Sequence, residues 1–142
     1  MNSNLNNFIA ASLVTFGLTG CIERDSELAN MKICEALETT GKCQIDNNSF
    51  QNKKQKFFVS ADSKNLKSDT PVKVVFTFLP TEGPLANKEV PLTSNLIETR
   101  NSDKFVVTSL TPPSAGWQTG KYRVELVLNS DTKYNREFII TP

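Results

Sequence analysis

The side chains of this 142-residue chain that could do chemistry are its sulfurs, because the sequence has three cysteines and no histidine. Without histidine, a Ser-His-Asp or Cys-His arrangement is excluded and the commonest metal ligand is missing. Cys21 follows an apolar run over residues 8–18, whereas Cys34 and Cys43 lie close together in a polar stretch. The spacing therefore separates one cysteine beside a hydrophobic segment from a nearby pair.

The segment Leu18-Thr19-Gly20-Cys21 resembles the lipobox of bacterial lipoproteins, in which a signal peptide is removed just before a cysteine that carries the lipid. The apolar run is shorter than the roughly 20 residues that cross a bilayer, and two small residues precede the cut. The resemblance covers residues 1–21. It implies diacylglycerol on the Cys21 sulfur and, in many bacteria, a third acyl chain on its nitrogen. Residues 1–7 depart from the pattern because they contain no Lys or Arg.

The alternative to a lipobox is an ordinary buried helix that ends in a chance Leu-Thr-Gly-Cys. Under the lipoprotein interpretation, Ile22 stands where Asp would resemble an inner-membrane retention signal, so the resemblance implies the outer membrane. Lipidation of Cys21 leaves Cys34 and Cys43 as an even pair in an oxidising compartment, which predicts a disulfide between them. Two free thiols or a soft-metal pair are the alternatives, although a zinc site would lack further ligands.

The remaining polar residues show no catalytic motif. Ser60 and Ser114 have no histidine partner, and Asp62 and Asp69 lack the spacing of a calcium loop or a glycosidase pair. There is no glycine-rich phosphate loop and no Gly-x-Ser-x-Gly elbow. The net charge of +1 provides no concentrated basic surface. We therefore expect no catalytic residue, metal, cofactor or nucleic-acid partner, with Ser-Lys catalysis as the remaining alternative.

The sequence divides into four parts on composition. Residues 1–20 form the signal peptide, 21–33 a charged tether, 34–55 a disulfide-closed turn and polar loop, and 56–142 one globular domain. We expect helical turns at the end of the tether and within residues 34–43. The lysine-rich run over residues 53–56 is interpreted as solvated surface, with contact to anionic lipid headgroups as the less favoured alternative.

From residue 56 onwards, apolar and polar residues alternate with the period of two that is typical of half-buried strands. Pro91 predicts an edge strand or a bend within residues 88–100. The pattern predicts an all-β antiparallel sandwich of about seven strands. The residues expected to face its core in the clearest strands are Val72, Val74, Phe76, Phe78, Tyr122, Val124, Leu126, Leu128, Phe138 and Ile140.

A second resemblance covers roughly residues 56–142. Bacterial immunoglobulin-like domains often carry a G-W-x-x-G-x-Y-x-V stretch before their penultimate strand, which is similar to Gly116-Trp117-Gln118-Thr119-Gly120-Lys121-Tyr122-Arg123-Val124. The resemblance implies an immunoglobulin-like sandwich in which Tyr122 forms a tyrosine corner, its hydroxyl bonded back to the backbone. We interpret Trp117 and Tyr122 as core residues. The alternative is that they form an exposed aromatic anchor for a partner.

Three functional hypotheses follow from these observations. The favoured one is a membrane-anchored module without catalytic activity that binds another protein of the bacterial cell envelope through a sheet edge or the loops at one end. The second is a small lipoprotein that binds a ligand or inhibits a secreted enzyme, which a cavity between the sheets would support. The third is an enzyme of unrecognised type. Fold resemblance alone does not choose among them.

Overall fold

The computed structural model describes residues 25–53, 55–98 and 104–142. The predicted lipobox, the lipidated Cys21 and Ile22 lie outside the described residues. So does Lys54 of the lysine-rich run. Within the described part of the chain, no helix is long and apolar enough to cross a membrane.

The described residues form an all-β sandwich of eight strands in two sheets. Strands β1, β3 and β6 form one sheet in that order, and β2, β8, β7, β4 and β5 form the other. All neighbours are antiparallel except β2, which runs parallel to β8. The strands are β1 (Glu27–Cys34), β2 (Ser49–Gln51), β3 (Phe57–Lys64), β4 (Pro71–Leu79), β5 (Val90–Glu98), β6 (Phe105–Leu110), β7 (Gly120–Leu128) and β8 (Asp131–Thr141).

The alternation in the sequence predicts the core faces of the central strands correctly. The side chains expected to face inwards in β4, β7 and β8 are buried, apart from Phe78, which is partly buried and packs against the core. Thr77, which lies between the inward-facing Phe76 and Phe78 in the sequence, is buried as well. It lies in register with Pro91 of β5 on one side and with Arg123 of β7 on the other.

The prediction of a tether over residues 21–33 is wrong from Glu27 onwards, because the chain forms β1 there and pairs with β3. The sequence does not reveal this strand, because the register of β1 against β3 shifts between Ala29 and Lys32. Asn30 has a φ of 51° at this bulge. The extra residue breaks the period of two, so the buried side chains of β1 are not evenly spaced. The sandwich therefore begins within the predicted tether, not at residue 56.

The region expected to be a turn and a loop also differs from the prediction. Residues 35–42 form bends and turns rather than a helical turn, and Leu37 makes an isolated bridge with Cys43. Within the predicted loop, residues 49–51 form β2, which adds Phe50 to the core. A strand of three residues around one aromatic side chain carries no periodic signal.

A hairpin turn and an edge strand belong to the five-stranded sheet, and the edge-strand prediction made from Pro91 is confirmed. Asn129 and Ser130 both have positive φ and join β7 to β8, as a two-residue hairpin turn requires. β5 contains Pro91 and is the outer strand of its sheet. Its register against β4 shifts at Thr77, next to this proline.

The predicted disulfide is formed. Cys34 at the end of β1 is bonded to Cys43, with the Cα atoms 5.7 Å apart. Both cysteines are buried, and the Cys43 N–H donates to the Ser60 hydroxyl 3.1 Å away. The bridge thus holds the loop after β1 against β3.

Replacing both cysteines, as Cys34→Ala with Cys43→Ala, is expected to lower the free energy of unfolding by about 2–3 kcal/mol, because the unfolded chain then regains the entropy of a short closed loop. Urea denaturation of the wild type and the double variant would measure this loss. Reaction of both thiols with a labelling reagent in native, unreduced protein would contradict the bridge.

Candidate binding surfaces

Trp117 and Tyr122 belong to a cluster of aromatic rings between the sheets. The Trp117 ring is stacked 5.1 Å from Phe57 and meets Phe76 edge-on at 5.4 Å. Tyr122 lies nearly parallel to Phe76 and to Phe138, each at 5.5 Å. Such offset and edge-to-face contacts add to the stabilisation that burial of the rings provides.

The polar atoms of both rings are hydrogen-bonded to backbone carbonyls. Trp117 Nε1 donates to the Gln55 carbonyl at 2.8 Å, and the Tyr122 hydroxyl donates to the Gln118 carbonyl at 2.6 Å. The second bond reaches four residues upstream, as expected for a tyrosine corner. Gly120 lies between Gln118 and Tyr122 in the sequence, and a Cβ at this position would come within 2.9 Å of the Phe78 ring.

The alternative prediction, that Trp117 and Tyr122 form an exposed aromatic anchor for a partner, is wrong. Trp117 and Tyr122 are each 2% exposed, because their rings fill the core at the point where residues 111–119 return to the sheet. Their role is to fix this connection and the start of β7. A partner would have to bind elsewhere.

The variant Tyr122→Phe is expected to lose about 1–3 kcal/mol of unfolding free energy, because the Gln118 carbonyl is left without its donor. Burial raises the pKa of Tyr122 to about 12, against an ordinary value of 10.0. The unfolded chain therefore releases this proton first, and the stability that Tyr122 provides below pH 10 is lost between about pH 10 and 12.

Urea denaturation across this pH range would test both effects. The stability difference between wild type and Tyr122→Phe should shrink as the pH rises. Tyr134→Phe, which changes the other tyrosine of the chain, is the control. An equal loss in both variants would argue against the tyrosine corner.

A polar cleft of about 420 Å³ lies where the disulfide loop, residues 35–42, meets the outer face of the three-stranded sheet. Lys42 Nζ donates to Asp62 at 2.5 Å, and Asn30 Nδ2 donates to the same carboxylate at 2.9 Å. Lys32 Nζ donates to the Gln44 carbonyl at 3.0 Å. The hydrogen bonds to Asn30 and then to Lys42 hold the pKa of Asp62 below its ordinary value.

A second ionic contact ties the same region to the other sheet. Arg136 of β8 donates to the Met31 carbonyl at 3.0 Å and to the Asp46 carboxylate. The second oxygen of Asp46 accepts from the Ile33 N–H at 3.0 Å. Each charged group around the cleft is therefore already hydrogen-bonded within the protein, so these contacts hold the disulfide loop in place rather than forming a site for a ligand.

The serines and carboxylates considered for catalysis do not converge. Ser60 lies under the disulfide loop, whereas Ser114 is in the turn before β7. Asp62 is paired with Lys42 in the polar cleft, and Asp69 lies in the exposed β3–β4 connection. Among the described residues, no three His, Cys, Asp or Glu side chains form a group that could hold a metal.

Contacts from outside the sheet occupy parts of the other strand edges. On β1, the Met31 carbonyl accepts from Arg136, and Ile33 bonds through its N–H to Asp46 and through its carbonyl to Asn47. β2 has only three residues. On β6, Asn95 Nδ2 reaches across from the other sheet and donates to the Ser109 carbonyl at 3.2 Å.

The edge of β5 is different. The strand has nine residues, and no further strand of the described chain pairs with its outer edge. It carries no Lys or Arg, and its one charged residue is Glu98 at the end. Leu92 and Leu96, 38% and 65% exposed, are two of the five large hydrophobic residues that are exposed in the described part of the chain. Pro91 and the bulge beside it obstruct the first part of the strand, so residues 93–98 are the accessible part.

Comparisons with known proteins support the fold. An immunoglobulin-like protein from Pseudomonas aeruginosa matches with a TM-score of 0.64 at 9% sequence identity, covering 84% of this chain and 99% of that one. No protein-family model and no curated protein matches this chain. The sandwich is therefore immunoglobulin-like, and an identity this low shows the fold alone.

Weaker similarities exist to parts of larger enzymes. A β-glucosidase from Listeria innocua has a TM-score of 0.48 at 12% identity, covering 83% of this chain but 16% of that chain. A β-D-glucoside glucohydrolase from Trichoderma reesei has a TM-score of 0.46 at 7% identity, covering 82% and 19%. This chain thus spans under a fifth of either enzyme, and these similarities carry no argument about activity.

Sequence reasoning missed the residues that fasten the disulfide loop. Asp46 and Arg136 are 90 positions apart, and Arg136 and the Met31 carbonyl are 105 apart. No motif or spacing links such residues. They are brought together only by the pairing of β8 in one sheet and β1 in the other.

Proposed function

We propose that this protein is a lipid-anchored lipoprotein of the bacterial cell envelope that acts as a binding or assembly module without catalytic activity. Diacylglycerol on Cys21 would hold it to the membrane, and Ile22 after the cysteine favours the outer membrane of a two-membrane bacterium. The observation that carries the binding role is the unpaired edge of β5, which can accept a strand from another envelope protein.

Several features support this proposal. The lipobox resemblance implies export, and the Cys34–Cys43 disulfide is the cysteine chemistry of an oxidising compartment. A protein with a similar fold is an immunoglobulin-like protein from Pseudomonas aeruginosa. More than one acyl chain anchors a protein stably, whereas a single chain binds reversibly.

The β5 edge also supports a role in protein binding rather than in binding a small molecule. A strand that adds to an edge gains main-chain hydrogen bonds, and exposed leucines beside it provide apolar contacts. The polar cleft offers fewer contacts to a partner, since its charged groups are already hydrogen-bonded within the protein.

The variant Cys21→Ser is expected to remain uncut or to leave the membrane fraction, because it lacks the sulfur that would carry the lipid. Fractionation of cells fed a radiolabelled fatty acid would measure both label and location. Cys34→Ser is the matched control and should keep the label. Incorporation of label into Cys21→Ser would contradict the lipobox.

The variant Leu96→Lys is expected to weaken partner capture by β5, because a lysine on an edge strand opposes the addition of a further strand. Ile139→Lys is the matched control. Ile139 is also exposed on the outer face of the five-stranded sheet, but it lies in β8 rather than in the edge strand.

The measurement is photo-crosslinking in intact membranes from a probe at Thr93, compared between the two lysine variants. One crosslinked envelope protein should be lost with Leu96→Lys and kept with Ile139→Lys. Both substitutions are on exposed side chains, so the free energy of unfolding should change by no more than about 0.5 kcal/mol. Equal crosslinking in both variants would contradict the use of this edge.

A further inference from the structure

The first described residues are attached to one end of the sandwich. The Ser26 hydroxyl donates to the Asn65 carbonyl at 3.0 Å, and Asn65 Nδ2 donates to the Asp25 carbonyl at 3.5 Å. Glu27 is then in register with Lys64. The chain therefore enters the sandwich beside the connection between β3 and β4, and it is hydrogen-bonded there before β1 begins.

We define this end as the base and the opposite end as the tip. The base carries the connection over residues 65–70 and the turn at residues 129–130, and β5 ends there with Glu98 opposite Pro71. The tip carries the connections over residues 80–89 and 111–119. A strand of nine residues, such as β4, separates the two ends by about 30 Å.

We propose that the base faces the lipid headgroups and the tip points away from the membrane. This inference rests on the proposed lipidation of Cys21. Only four residue steps separate Cys21 from Asp25, which is a reach of at most about 14 Å. The tether is therefore shorter than the sandwich, so the tip cannot turn towards the bilayer while Asp25 stays bonded to Asn65.

The chemistry of the base fits contact with headgroups rather than insertion into the acyl chains. The end of β3 exposes Lys64, and the connections of the base expose further polar residues, among them Ser68, Asp69 and Asn129. Among the described residues, the exposed large hydrophobic side chains lie outside these connections, in the segment after Cys43, the β4–β5 connection, β5 and β8. Because the base mixes both signs of charge, the length of the tether rather than charge sets the orientation.

The orientation has a consequence for the proposed partner. β5 runs from the tip to the base, so its edge would stand upright on the membrane. The accessible residues 93–98 are the six of the nine β5 residues that lie nearer the bilayer. The partner strand would then belong to a protein held at the same membrane.

Fluorescence transfer to the bilayer surface would test the orientation. The lipidated protein carries a donor dye on a single added cysteine, either Lys64→Cys at the base or Glu82→Cys at the tip, both at exposed positions. The buried native cysteines remain bridged. Each labelled protein is reconstituted into phosphatidylethanolamine–phosphatidylglycerol vesicles whose headgroups carry an acceptor, with a Förster distance near the length of the sandwich.

We expect transfer from residue 64 to be several-fold greater than transfer from residue 82. A long Gly-Ser insertion between Ile22 and Glu23 should reduce this difference, because a flexible linker removes the constraint of a short tether. Equal transfer in the two proteins, or greater transfer from residue 82, would overturn the orientation although the lipid is present. Failure of both proteins to bind vesicles and to contain a fatty acid would instead overturn the anchoring on which the inference rests.

Discussion

The structure depends on the packing of aromatic rings from both sheets against one another. Phe57 of the three-stranded sheet contacts Phe50, Trp117 and Phe138, which belong to the other sheet or to the connection leading into it. Burial of such rings is the largest favourable contribution that a small sandwich can obtain. The two rings with polar atoms are buried at no loss of hydrogen bonding, because a backbone carbonyl accepts from each.

The parts of this core that a sequence can reveal are those with unbroken alternation. β4 and β7 each place an apolar side chain at every second position, and the structure buries these residues as predicted. β1 was missed because a bulge at Asn30 breaks the same period. β2 was missed because one buried residue, Phe50, is too short a signal. The chain therefore shows its fold class clearly and its first two strands not at all.

The candidate binding surfaces, unlike the core strands, could not be identified from the pattern of the sequence. Aromatic residues favour both cores and interfaces, so the types of Trp117 and Tyr122 alone could not decide between burial and exposure. Which strand edges are covered depends on contacts between distant residues, such as Arg136 with the Met31 carbonyl. Such contacts arise from the topology and leave no local signal. The position of β5 as an outer strand becomes visible only in the strand order of the described sheet.

The two sides of the sandwich differ in how they are closed. On the side of β1 and β2, the disulfide loop, Asp46 and Arg136 fasten the edge, and the chain enters the domain at the start of β1. On the opposite side, the side chain of Asn95 links β5 to β6, and the outer edge of β5 stays unpaired. A tether attached on the first side would not obstruct a strand added on the second. The contacts that stabilise the domain and the attachment of the tether can therefore lie on the same side of the sandwich, because the accessible edge of β5 lies on the other side.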